Sequence, residues 1–281
     1  MLVALVGACN FSPPAAPIVD ATLDDAPVDL PIDTSSSPRV AGARGFWKFD
    51  ELAGNTVLDH ATPPSGKLAM DLTIAMPGET VWVTGGLQII GRGTISSTSA
   101  PHIGQTIQNV KEVTVEAWVT PTNDVQGDGT DPFDGAPDYA AVFMASGSIV
   151  SYSALIAQTG DRWITRSRTN TPPTQPERAA GFPEIQAPSA SAMANKVTHL
   201  VLVTSATTRT LYVDGVPQTS TPEGLGTLDW DPSYALRFAD HSAGYERGWQ
   251  GTLWVVALYD RSLLPQEVQQ NFEAGHDCLD C

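Results

Sequence analysis

The fold is decided by two segments of the chain, KVTHLVLVTSATTRTLYVDGVPQ (196–218) and WQGTLWVVALYDRSLLPQEVQQNFEAG (249–275). The first segment contains two runs rich in β-branched and aromatic residues, which flank Thr207 and Thr208. The pair Asp214-Gly215 follows, and these residue types tolerate the positive φ that a two-residue hairpin turn requires. The pattern therefore predicts a meander of antiparallel strands.

The second segment ends in a predicted helix, Pro265–Ala274. Its proline suits the first helical position, and Val268 and Phe272 share one face at the i,i+4 spacing. The runs HLVLV (199–203) and LWVVALY (253–259) are apolar on both faces, which predicts inner strands. We therefore expect a β-sandwich in which the helix plugs one edge.

Two further segments extend the pattern upstream: GFWKFDELAGNTVLDHA (45–61) and VTVEAWVTP (113–121). Together with the C-terminal segments they resemble the laminin-G-like, concanavalin-A-like lectin and glucanase family over roughly residues 45–275. The resemblance implies an all-β, antiparallel jelly-roll sandwich with one short C-terminal helix. It does not imply one function, because lectins, glycosidases and adhesive modules share this fold.

The chain of 281 residues divides into four predicted parts. Residues 10–43 are rich in Pro, Asp, Ser and Ala and have no aromatic residue after Phe11, so they bury too little apolar area to order themselves. We predict a signal-peptide remnant at 1–8, a disordered acidic tether at 9–44, one sandwich domain at 45–277 and a cysteine-containing tail at 278–281.

The N-terminal cysteine predicts export. Val6, Gly7 and Ala8 precede Cys9 and resemble the lipobox of bacterial lipoproteins, which implies a lipid on Cys9. By the same resemblance, Asn10 after the cysteine implies sorting to the outer membrane or cell surface of a Gram-negative bacterium. The alternative is an ordinary apolar N-terminus, because no basic residue precedes the cysteine.

The remaining cysteines, Cys278 and Cys281, form an even pair. In an oxidising compartment such a pair predicts a disulfide. A zinc site that includes His276 is the alternative, but the sequence offers no evident fourth ligand.

The negative charge of the chain argues against polyanionic partners. There are 15 Lys and Arg residues against 31 Asp and Glu, a net charge of −16. Such a surface repels phosphate backbones and anionic lipid headgroups, so we expect no nucleic acid and no membrane contact except through the lipid anchor.

We expect no catalytic residues. The paired carboxylates of laminarinase-type enzymes, E-x-D-x-x-E, are missing, and Glu116 is a lone carboxylate on its strand. No G-x-S-x-G nucleophile motif is present, and His199 lies in an apolar run where a packing role is expected. Carboxylates that converge from separate strands remain an alternative.

A calcium site is the only cofactor site that we expect. The loop PTNDVQGDGTDPFDGAPD (121–138) places carboxylates around Gly129 in a way that resembles the first half of an EF-hand, without its bidentate glutamate. The alternative is an ordinary turn, since Asp and Gly are common turn formers. The candidate ligands are Asp124, Asp128, Asp131 and Asp134.

A glycan site requires an exposed ring with polar neighbours. Of the seven tryptophans, three lie inside strand signatures and are expected in the core: Trp47, Trp118 and Trp254. The candidate ligand residues lie in turn-like contexts: Trp230, Asp231, Tyr245, Arg247 and Trp249. The alternative is that the two candidate tryptophans cap the core.

These patterns predict a non-catalytic, surface-anchored module that binds a polysaccharide or a cell-surface protein. A structural or adhesive scaffold without a small ligand is the first alternative, and a glycoside hydrolase is the second.

Overall fold

The computed structural model describes residues 39–91, 93–97, 101–127, 139–148, 151–170, 181, 184–220, 226–239 and 248–277. All of them belong to one compact unit, Ser36–Cys281. Two antiparallel eight-stranded sheets pack face to face, which confirms the predicted all-β sandwich. No helix among the described residues is long and apolar enough to cross a membrane.

The first sheet, sheet I, has eight strands. Its members are β1 (Gly45–Trp47), β4 (Thr80–Val83), β5 (Gly86–Ile89), β7 (Val113–Pro121), β12 (Thr198–Thr204), β13 (Arg209–Val213), β14 (Val216–Ser220) and β16 (Gly251–Tyr259). The strand order is β14-β13-β12-β7-β16-β5-β4, and β1 also pairs with β16. The β13–β14 hairpin turns at Asp214 (φ 51°) and Gly215 (φ 74°), as the sequence predicts.

Sheet II covers the inner face of sheet I. Its members are β2 (Thr56–Val57), β3 (Leu72–Ile74), β6 (Ile95–Ser97), β8 (Ala140–Ser148), β9 (Ser151–Thr159), β10 (Arg162–Ser167), β11 (Ile185–Gln186) and β15 (Ala235–Phe238). The strand order is β11-β10-β9-β8-β15-β6-β3-β2. A short 3-10 helix, Pro77–Glu79, precedes β4.

Successive side chains of strand β7 point to opposite faces of sheet I. Val115, Ala117 and Val119 belong to the core between the sheets, whereas Glu116 and Trp118 project from the opposite face. Full burial of each valine stabilises the fold by about 1.5–3 kcal/mol. The outer face of sheet I therefore carries polar and aromatic groups that another element must cover.

That cover is α2 (Pro265–Ala274), which has the predicted bounds. Val268 packs on the outer face of sheet I against side chains of β12, β13 and β16, such as Val201. The prediction that this helix plugs an edge was therefore wrong. A helix lies on the face because its apolar stripe there covers side chains that the second sheet does not reach.

A second helix, α1 (Pro101–Val110), was not predicted from the sequence. Ile103 and Ile107 share one face of it and are buried in the inter-sheet core. The signal was present, because a proline at the first position precedes isoleucines spaced four residues apart.

The folded part begins earlier than predicted. We expected residues 39–44 to belong to the disordered tether. Instead, the Arg39 side chain is only 5% exposed and its Nη2 donates to the carbonyl of Gly275 at 2.6 Å. The Val40 amide donates to Asn271 Oδ1 at 2.8 Å. These contacts fix residues 39–44 on α2 and the outer face of sheet I.

Candidate functional site

Both tryptophans predicted to form an exposed platform are buried. Trp230 is 2% exposed and Trp249 is fully buried, and both belong to the core between the sheets. Trp249 Nε1 donates to Gln158 Oε1 at 3.1 Å. The expectation of exposure was wrong because turn-like neighbours do not decide where a large apolar ring is placed, and burial of such a ring is strongly favourable.

The polar partners of this predicted site do not converge on a ligand either. Asp231 Oδ1 accepts hydrogen bonds from the backbone amide of Ser233 at 2.9 Å and from its hydroxyl at 2.6 Å, so this carboxylate closes its own turn. Tyr245 and Arg247 lie outside the described residues. The described residues therefore contain no ring platform at this position.

The predicted calcium loop is described only in its first part. Asp124 accepts a hydrogen bond from the Ala194 amide through its carboxylate. Gln126, which alternates with the predicted ligands, turns inward and donates to Gln158 Oε1 at 3.1 Å. The other members of the predicted metal, lipid and disulfide sites lie outside the described residues: Asp128, Asp131, Asp134, Cys9, Cys278 and Cys281. These sites remain predictions.

A buried polar cluster surrounds Glu116. Its carboxylate is fully buried, is paired with Arg39, accepts from Asn271 Nδ2 at 2.7 Å and lies 2.9 Å from His199 Nε2. Burial alone would raise the pKa of Glu116, but Arg39 and His199 outweigh that effect and hold the pKa at about 2. The cluster is closed to solvent, so it binds the segment that contains Arg39 rather than a substrate.

A row of aromatic rings leads from this cluster to the surface. His199 stacks on Trp118 with ring centroids 4.5 Å apart and on Phe272 at 5.8 Å. The His276 ring meets the Trp118 ring edge-on at 5.7 Å and stacks on Trp254 at 5.0 Å. Trp254 is partly exposed, which contradicts its predicted place in the core.

Trp254 forms one wall of a surface hollow of about 230 Å³, which we call the Trp254 cleft. Nε1 of the indole donates to Thr120 Oγ1 at 2.8 Å and so fixes the ring. A Cβ at Gly86 would lie 2.6 Å from Cε3 of the ring, so only glycine permits this position of the indole. The lining residues are Lys48, Asp50, Thr84, Gly85, Trp254, His276 and Asp277.

Three separate parts of the chain bring polar groups to the Trp254 cleft. Lys48 and Asp50 follow β1, and their charged groups lie 3.8 Å apart. Thr84 lies in the β4–β5 turn, and the segment after α2 supplies His276 and Asp277. Burial lowers the pKa of His276 and so favours the neutral ring, which retains an acceptor nitrogen. The cleft therefore combines an aromatic face with donors and acceptors.

Two carboxylates and an imidazole meet beside the cleft. Asp50, Glu51 and His60 each offer a ligand atom, and these atoms lie within 4.8 Å of one another. Burial raises the pKa of Glu51, although its Oε1 accepts the Leu58 amide at 2.6 Å. This arrangement provides one carboxyl group with a raised pKa next to an exposed carboxylate.

A larger cavity of about 540 Å³ lies between the segment 39–44 and the loop 60–64. Arg44 is at its wall and pairs with Asp260 at 2.9 Å. Phe46 and Tyr259, which also line it, are both buried. Among its described lining residues, the cavity therefore offers no exposed tryptophan, tyrosine or phenylalanine ring, and its one exposed aromatic ring is the imidazole of His60.

Comparison with known proteins identifies a family. The family model described as the concanavalin A-like lectin/glucanases superfamily matches residues 92–269. No curated protein matches the chain in sequence.

Solved structures are similar in fold. A Trypanosoma rangeli sialidase in complex with sialic acid is 18% identical with a TM-score of 0.59, over 86% of this chain and 34% of that chain. A mutant of that sialidase displaying trans-sialidase activity is 18% identical with a TM-score of 0.56, over 85% and 33%. The binding domain of botulinum neurotoxin serotype D is 9% identical with a TM-score of 0.56, over 83% and 52%. The chain thus spans about a third of the length of these sialidases.

These comparisons correct one expectation. We predicted a module without enzymatic activity, and the similar structures contradict that exclusion, because they include sialidases and a variant with trans-sialidase activity. At 18% identity the likeness shows the fold alone, and a fold shared with glycoside hydrolases gives no ground for setting catalysis aside.

Proposed function

The chain belongs to the concanavalin A-like lectin/glucanase superfamily, and we propose that it recognises a carbohydrate at the Trp254 cleft. The observation that carries this proposal is the partly exposed indole of Trp254 among Lys48, Asp50, Thr84 and His276. An aromatic face covers the apolar C–H face of a sugar ring, and nearby polar groups bind its hydroxyls.

The small size of the cleft limits how much of a carbohydrate it can enclose. Its volume of about 230 Å³ is below the ~300–1,000 Å³ of pockets that enclose drug-sized ligands. A cleft of this size suits a terminal sugar unit or a short part of a chain that continues into solvent. The hydrogen bond from Trp254 to Thr120 holds the ring before a ligand arrives, which reduces the entropy lost on binding.

Two of the structures with a similar fold belong to proteins that bind other molecules. One is a sialidase with bound sialic acid and another is a toxin binding domain. Those properties belong to those proteins, and here they support only the broad proposal that the domain binds a carbohydrate or a protein. The exposed indole favours the carbohydrate.

The test compares two tryptophan variants on a glycan array and, for any hit, by calorimetry. Trp254→Ala should abolish binding and keep a cooperative unfolding transition. Trp82→Ala is the matched control, because this partly exposed indole packs on the inner side of β4 against the core. Unchanged glycan binding by folded Trp254→Ala would remove the Trp254 cleft from the proposal.

Hydrolysis of the bound glycoside is a second candidate function. It is favoured by the closeness of Asp50 and Glu51, whose ligand atoms lie within 4.8 Å of each other. This is slightly closer than the separation of about 5–5.5 Å between the two carboxyl groups of retaining glycosidases. The raised pKa of Glu51 is the property that a general acid requires, and the exposed Asp50, which lines the cleft, is the candidate nucleophile. Glu51 lies beside the cleft with its Oε2 buried, so it would have to turn towards the substrate.

The two functions separate in one assay series. Fluorogenic glycosides related to an array hit should release their fluorophore if the pair is catalytic, and Glu51→Gln should reduce the rate at least about 100-fold. Binding without any turnover by the wild-type protein would eliminate the second candidate and leave the first.

A further inference from the structure

Arg209 is a buried cation at the start of β13. Its side chain lies next to β12, opposite Thr204 in the ladder, and the residue is only 3% exposed. Nη1 donates to the carbonyl of Ser167 at 2.7 Å and to that of Gly181 at 3.3 Å. Two neutral carbonyls fix one side of the guanidinium group.

The other side of this guanidinium has no partner among the described residues. Nη2 is buried without a hydrogen bond there, and no carboxylate in that part of the chain forms an ion pair with it. Burial lowers the pKa of Arg209 to about 10. Arg166 is a useful contrast: burial would lower its pKa too, but Tyr152 and Glu184 raise it above its ordinary value.

A small hollow adjoins Arg209, and it communicates with solvent. Its volume of about 10 Å³ matches one water-sized particle. Its described walls carry hydroxyl groups and no carboxylate. The hydroxyl-bearing residues are Thr169, Thr204, Ser205, Thr207 and Thr208.

We propose that the hollow beside Arg209 binds one small monovalent anion, chloride in an ordinary salt medium. A buried charge without a counter-charge is strongly unfavourable, and an anion at Nη2 supplies the missing charge. The hydroxyl groups of Thr204, Ser205 and Thr208 already form hydrogen bonds, so the hydroxyl donors to this ion are Thr169 and Thr207. The size of the hollow excludes phosphate and sulfate. A water molecule satisfies the hydrogen bond but leaves the charge uncompensated.

The first test measures thermal unfolding in sodium chloride and in sodium gluconate at equal ionic strength. At a chloride concentration tenfold above Kd, the Tm of the wild-type protein should rise by about 3–6 °C. Arg209→Gln should lose this dependence on chloride. Arg162→Gln should retain it, because Arg162 is partly exposed and bonds to Gln186 and Ser189.

The second test uses the wild-type protein and therefore does not depend on whether Arg209→Gln folds. Crystals soaked in bromide should show an anomalous peak beside Nη2. Equal Tm values in the two salts, with only water density at this position, would overturn the proposal. A carboxylate from another part of the chain bonded to Nη2 would overturn it as well.

Discussion

The pairing of Arg39 with Glu116 predicts a large and pH-dependent loss of stability in Arg39→Met. Glu116 is fully buried, and Arg39 is its cationic partner from outside the sandwich strands. Removal of one member of a buried ion pair costs about 3–5 kcal/mol, because the remaining charge stays buried. Methionine keeps much of the apolar volume of the arginine side chain, so the loss of stability measures the effect of removing the charge.

The magnitude also follows from the titration of Glu116. Its pKa falls from 4.5 to about 2 on folding, which corresponds to about 3 kcal/mol of stability. A lowered pKa stabilises the fold above pH 4.5, and this contribution is lost as the pH falls from 4.5 towards 2. In Arg39→Met the pKa of Glu116 rises, so the carboxyl group is protonated at pH 3 and the penalty shrinks.

Urea unfolding at pH 7 and at pH 3 measures both effects. The difference in unfolding free energy between wild type and Arg39→Met should be about 3–5 kcal/mol at pH 7 and clearly smaller at pH 3. Arg44→Met is the matched control, because the pair of Arg44 with Asp260 is more exposed and contributes at most about 1 kcal/mol. Equal losses in the two variants at pH 7 would refute this reasoning.

Four further predictions concern the core, the lipid anchor, the disulfide and the calcium loop. Trp249→Ala should lower the unfolding free energy by about 3–5 kcal/mol in chemical denaturation, because the ring is fully buried; a loss below 1 kcal/mol would contradict its core position. Cys9→Ala should release the protein from the membrane fraction of cells, and unchanged detergent partitioning would rule out acylation. Alkylation without reductant should leave Cys278 and Cys281 unlabelled in intact-mass spectra, whereas two labels would exclude the disulfide. Millimolar calcium should raise the Tm relative to chelator if the loop that contains Asp124 binds the ion, and superimposable melts would exclude that site.

Local patterns in the sequence were sufficient for the elements whose geometry depends on neighbours along the chain. Helix α2 begins at Pro265, as the sequence indicates, because a proline there needs no hydrogen-bonded amide. The β13–β14 turn occurs at Asp214-Gly215 because these residues tolerate positive φ. In each case the determining interactions span only a few residues.

Which tryptophans are buried and which are exposed could be decided only from the tertiary structure. The register of β16 against β7 shifts between Leu253 and Val255, so Trp254 has no partner in that ladder. Such a bulge changes the face of the sheet to which the following side chains point. The run LWVVALY is apolar throughout, so its pattern gives no sign of the bulge. Trp254 thus reaches the surface, whereas Trp249, in a turn-like sequence, fills the core.

The polar sites also depend on contacts between distant parts of the chain. Glu116 and Arg39 are 77 residues apart, and the Trp254 cleft joins the segments after β1, β4 and α2. Spacing along the sequence carries no signal for such contacts, because they arise only when the strands pair and the sheets pack. The sequence by itself determined the sandwich and its closing helix, whereas packing alone decided which rings and charges face solvent.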